Sequence, residues 1–141
     1  MKTKDLMVDD HVQYNGTITK VENIHDDCIN FVPDIPYVQE EFFIDASDLR
    51  PIEVTPEILE KNGFELSDSW YIWINGEDKI MVHLPTEHYH YAQINYDKLI
   101  YNSNGVIETD YSCQLIYKHK LFVHHLQNFI KLVEVNKNIE L

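Results

Sequence analysis

The sequence predicts an α+β protein: a small β-rich, barrel-like module over residues 1–54, then a short linker helix, an antiparallel β-meander and one C-terminal helix over residues 55–141. Three observations carry this prediction. Every glycine follows an asparagine, at Asn15-Gly16, Asn62-Gly63, Asn75-Gly76 and Asn104-Gly105; both residue types tolerate positive φ, so Asn-Gly between extended runs is a strong hairpin signal. Short β-branched and aromatic runs lie between these turns, as strands do. Near the C-terminus, Leu115, His119, Phe122, Leu126, Phe129 and Val133 recur at spacings of three and four, the spacing of one apolar helix face.

Taken in order, His11 to Tyr14 and Thr17 to Ile24 flank the first Asn-Gly as a hairpin. Asp26-Asp27 makes a turn, Cys28 to Val32 a third strand, and Pro33 to Glu41, with two prolines, a loop. Phe42 to Ile44 and Leu49 to Val54 add extended segments, and so many short strands suggest a strongly bent sheet or barrel.

A short helix follows and joins the two stretches. Thr55 caps it, Pro56 suits its first position, Glu57 favours the dipole of its first turn, and Asn62-Gly63 ends it. Phe64 then falls where it can fold back onto Leu59. Trp70 to Ile74 and Lys79 to Leu84 flank Asn75-Gly76, His88 to Tyr96 alternates again, and Leu99 to Asn102 faces Val106 to Thr109 across Asn104-Gly105. This is a meander of four or five strands. The apolar stripe makes Ser112 to Val133 a helix over one face of it, and Ile139 and Leu141 suggest a last strand.

Composition narrows the function classes. The chain has 141 residues, 44% of them hydrophobic, and a net charge of −13. Phosphate neutralisation needs basic side chains, and Arg50 is the single arginine, so bulk nucleic-acid binding is not expected. The acidity suits either solubility or mimicry of a polyanion. No stretch reaches the ~20 apolar residues of a membrane helix, and charges interrupt the first apolar run. Cys28 and Cys113 have no paired spacing, which suggests free thiols and a cytoplasmic location.

Histidine is the abundant reactive side chain, with eight copies. His88 and His90 flank Tyr89, and on a strand both would share a face. With His83 they could chelate a metal, but no carboxylate or cysteine completes a recognisable set, so no metal or other cofactor is expected. On the last helix, His119 lies on the apolar stripe as a core histidine. His124 falls almost opposite, where it is exposed or serves an architectural contact. The carboxylate pairs Asp9-Asp10, Asp26-Asp27 and Glu40-Glu41 sit on turns, where solvation is their usual role. Tyr89, Tyr91 and Tyr96, with Trp70, Tyr71 and Trp73, could form a stacking platform. The candidate ligand-binding residues are therefore Tyr89, Tyr91, His88, His90 and His124, and no catalytic residue is assigned.

The run from Leu49 to Phe64, LRPIEVTPEILEKNGF, resembles a recurring segment in a family of short uncharacterised proteins from gut anaerobic bacteria and their phages and mobile elements. Val12 to Gly16 with Val21 and Ile24 resembles that family's opening hairpin, and Val123 to Asn128 resembles its histidine-containing last helix. Asp9-Asp10 departs from the Gly-Asp of the family, which bears on the first turn. The resemblance implies a cellular context and brings no activity, cofactor or catalytic residue. The expectation is a non-catalytic binding protein for a protein or small-ligand partner in a bacterial or phage setting. The alternative is a phage counter-defence protein that sequesters a nucleotide signal or mimics nucleic acid, and an enzyme of unknown class comes third. Oligomeric state is left open by the sequence.

Overall fold

The computed structural model describes residues 1, 6–25, 28–31, 42–105 and 107–141. The chain has the expected α+β class, with an antiparallel meander and a C-terminal helix packed on it. It divides into two compact units, one of Met1–Glu53 with Phe122–Asn128, the other of Val54–Leu121 with Phe129–Leu141. The expected turn at Asp26-Asp27, the Pro33 to Glu41 loop with its Glu40-Glu41 pair, and the Cys28 side chain lie outside the described residues.

In the first unit, β1 (His11–Tyr14) and β2 (Thr17–Lys20) form a two-stranded sheet. Tyr14 pairs with Thr17 across Asn15 and Gly16, at φ of 47° and 82°, the double positive φ of a tight hairpin turn. The single strand expected from Thr17 to Ile24 is broken after Lys20, because Val21 turns its backbone to the preceding loop: its N–H donates to the Asp10 carbonyl at 2.9 Å. A separate sheet contains β3 (Asn23–His25), β4 (Cys28–Phe31) and β5 (Phe42–Asp45), with β4 central. The described strands of this module thus lie in two sheets, where one strongly bent sheet or barrel was expected.

Asp9 has φ of 73°, a conformation that favours glycine. The aspartate keeps the first turn all the same: its N–H donates to the Val21 carbonyl at 2.7 Å, and its carboxylate meets Lys20 at 2.7 Å. Asp10, expected to be solvated, is fully buried. Its carboxylate accepts the Met7 N–H at 2.7 Å while its own N–H donates to the Met7 carbonyl at 3.1 Å, closing the turn from both ends. Leu6, Val12, Val21 and Leu49 form the core beneath these strands.

The second unit opens with α1 (Pro56–Lys61). Thr55 Oγ1 accepts the Ile58 N–H at 3.3 Å, satisfying one donor that a helix start leaves unpaired. At the other end Phe64 N–H donates to the Leu59 carbonyl and Gly63 N–H to the Glu60 carbonyl, both at 3.0 Å, the paired bonds of a Schellman cap. Leu59 and Phe64 are both buried. Gly63 has φ of 79°, and a methyl group added there would come no closer than 3.8 Å to Trp73. The cost of Gly63→Ala is therefore conformational, and we expect it to lower stability by about 1–2 kcal/mol in urea unfolding.

The meander is one five-stranded sheet in the order β10-β9-β8-β7-β6. Its strands are β6 (Glu65–Ser67), β7 (Trp70–Asn75), β8 (Asp78–His83), β9 (Ala92–Tyr101) and β10 (Ile107–Tyr117). β6 is a strand that the sequence pattern did not reveal. Register puts Tyr71, Val82 and Ile94 across from one another on one face, with Trp73, Ile80 and Tyr96 beside them. Ile80, Val82, Ala92, Ile94 and Tyr96 on this face are buried.

The C-terminal helix is shorter than expected: α2 runs from Val123 to Leu132. Ser112 to Tyr117 belongs to β10 and pairs with β9 through to Ala92. Tyr111, Cys113, Leu115 and Tyr117 also alternate, and the ten-residue β9 beside them offers a continuous ladder, so the period of two prevails. His119 consequently lies outside the helix and is exposed, instead of filling a core position. His125 Nδ1 accepts the Phe122 N–H at 3.4 Å, the role that Glu or Gln plays in a capping box.

The tail forms no strand. Asn62 holds it: Nδ2 donates to the Ile58 and Glu140 carbonyls at 2.7 Å, and Oδ1 accepts the Glu140 N–H at 2.8 Å. Lys137 donates to the Asn62 carbonyl at 2.7 Å and stands 4.7 Å from the Trp73 ring centre. Burial holds its ammonium below the usual lysine range. Ile139 is buried in this tail.

Candidate functional site

The platform expected from six aromatic residues is divided by strand alternation. Tyr71, Trp73 and Tyr96 occupy one face of the meander, as above. Trp70 and His83 fall on the other, because Tyr71 pairs with Val82 and the next residues outward share the opposite side. Their ring centres are 5.4 Å apart.

Tyr89 and Tyr91 join them from the loop between β8 and β9. The loop is closed on itself: Thr86 N–H donates to the Tyr89 carbonyl at 2.8 Å, and Thr86 Oγ1 accepts the Tyr89 N–H at 3.1 Å. Pro85 lacks the donor that would have continued β8. His83 is the hub. Tyr91 stacks on it at 5.3 Å and 24°, and Tyr89 meets it edge-on at 6.1 Å and 84°. Tyr89 and Tyr91 are themselves T-shaped at 6.0 Å, a favoured aromatic geometry.

His83 is only 3% exposed, whereas Tyr89 is 56% exposed and Trp70 and Tyr91 are half-buried. Nδ1 of His83 is buried without a hydrogen-bond partner among the described residues. Such a group costs about 1–3 kcal/mol. A polar nitrogen is thus held among rings at a cost to folding.

His88 and His90 lie in the same loop and are exposed. They are not on a strand, since β9 begins only at Ala92, so the shared face expected for a His-x-His strand pair does not arise. Among the described residues, no three His, Cys, Asp or Glu side chains converge as a metal site. His124 belongs to the first unit. It is buried, stacks on Phe122 at 5.9 Å and 6°, and lies 4.2 Å from the His125 ring.

A second polar cluster escaped sequence reasoning. Gln127 Oε1 accepts the His11 N–H at 3.0 Å, and Gln127 Nε2 lies 2.6 Å from His11 Nδ1. An amide nitrogen can only donate, so Nδ1 is the acceptor in that bond. The two residues are 116 positions apart, and no local pattern marks such a pair.

Other reactive groups are directed elsewhere. The Cys113 thiol is pushed up by burial, with Asp97 adding to the effect, which is opposite to the shift of an activated nucleophile. Lys98 is engaged by Glu77 at 3.3 Å and Asp78 at 3.4 Å. The same Asp78 oxygen accepts the Tyr96 hydroxyl at 2.6 Å, and burial first, then this bond, raises the Tyr96 pKa well above the usual phenol range. No described helix is long and apolar enough to cross a membrane. Compared with known proteins, the chain matches no family model, no curated protein and no solved structure.

Proposed function

We propose that this chain is a non-catalytic binding protein of a bacterial or phage-infected cell, and that the Trp70, His83, Tyr89 and Tyr91 cluster takes a cationic group of its ligand. The observation that carries the reading is the convergence of these rings around a buried His83 whose Nδ1 has no partner among the described residues. Aromatic faces attract cations. The segments supplying the rings, Ser67 to Ile74 and Ile80 to Ala92, contain no Lys or Arg and carry Asp68 and Glu87. A net charge of −13 adds attraction for a positive partner.

A nucleotide base on Tyr89 is the second reading. It rests on Lys118, which follows Tyr117, the partner of Ala92, at the same end of the sheet as Tyr91. Lys98 is partnered at the opposite end of β9.

Tetramethylammonium and AMP distinguish the two. In a Trp73→Phe background, Trp70 is the remaining tryptophan, and its emission should change saturably with tetramethylammonium and not with sodium chloride at equal ionic strength. Tyr89→Ala should weaken that response roughly three- to thirtyfold, the worth of one ring to a cation, with circular dichroism unchanged. A response to AMP alone would establish the second reading. No saturable response to either probe, or one indifferent to Tyr89→Ala, would remove the cluster as the binding site.

A further inference from the structure

We infer that β10 is the docking edge for a second copy of this chain, paired antiparallel across a two-fold axis near Gln114. The inference stands apart from the aromatic cluster and does not depend on it. β10 is the outermost strand of the meander and has eleven residues, whereas β6 at the other edge has three. An exposed edge offers unpaired backbone donors and acceptors, and proteins blunt such edges by shortness, charge, proline or bulges. β6 is blunted by its length.

β10 is not blunted over most of its course. Its register shift lies between Thr109 and Tyr111, at one end. From Tyr111 to Tyr117 the ladder with β9 is regular, and the segment YSCQLIY contains no charge, proline or glycine. Ile116 is 59% exposed, Tyr111 51% and Leu115 40%. Such a strand is expected to be covered.

The charges say by what. Glu108 and Asp110 lie towards one end of β10, and Lys118 and Lys120 follow the other. Gln114 is equidistant from Asp110 and Lys118, and equally from Glu108 and Lys120. An axis at Gln114 therefore sets each acidic end beside the partner's lysine end. In the regular stretch it pairs Tyr111 with Tyr117, Ser112 with Ile116 and Cys113 with Leu115. Each of these pairs shares a face, as antiparallel pairing requires. The ladder would join the two meanders into one continuous sheet. Exposed ion pairs add little affinity, so the charges select orientation and register while the apolar middle and the backbone supply the attraction.

Sedimentation of the full chain across micromolar to millimolar concentrations tests this. The wild type should shift from 16.7 kDa to twice that mass. Lys118→Glu/Lys120→Glu and Glu108→Lys/Asp110→Lys should each weaken self-association about tenfold or more, because each makes both ends of the strand alike in charge. Mixing the two variants should restore a heterodimer, with circular dichroism confirming that both are folded. A wild type that stays monomeric throughout would overturn the proposal. So would a dimer unaffected by either charge swap, which would place self-association on another surface.

Discussion

Leu126→Ala is expected to lower the unfolding free energy by about 2–5 kcal/mol, the range for emptying a buried leucine site. Leu126 is fully buried, and so is Val123 one turn before it on α2. Both belong to the unit whose core contains Leu6, Val12, Val21 and Leu49. The denaturation midpoint should fall while its slope stays constant, the sign of a change in stability and not in the surface exposed. Amide exchange should accelerate in β1 and β2, where local protection depends on that core. An unchanged midpoint would mean that the site refills or that the leucine is not packed.

Phe129→Ala should cost about 3–5 kcal/mol, the loss for a buried aromatic ring. Phe129 is 1% exposed and falls in the second unit, with Ile80, Val82, Ile94 and Tyr96 buried in the meander. It lies three positions after Leu126, so the helix itself should be similarly affected by either change. What differs is the unit that each side chain serves. Exchange protection lost in β8 and β9 after Phe129→Ala, and in β1 and β2 after Leu126→Ala, would establish that division. The same pattern of loss in both variants would contradict it.

The candidate site was partly legible. Tyr89, Tyr91 and Trp70 stood out as members of an expected six-ring stacking platform, and all three are in the cluster. His83 was noticed for another reason, as a third metal ligand. Only register could separate Trp70 from Tyr71 and Trp73, since adjacent strand residues face opposite ways. The loop geometry set by Thr86 then took His88 and His90 off the strand and left them exposed.

By itself the sequence determined the features whose physics is local. Asn15-Gly16 makes its hairpin because both residues accept positive φ, and α1 starts at Thr55 and ends at Gly63 because cap chemistry acts within one turn. The meander followed from alternation between turns. Tertiary structure decided what depends on a distant partner. Ser112 to Tyr117 carries apolar residues at both helical and strand spacing, and the length of β9 made it a strand. Asp10 and His124 are buried, and His11 meets Gln127 across 116 positions. Burial and hydrogen bonding at such residues are set by what the folded chain brings against them, and a local window contains no record of that.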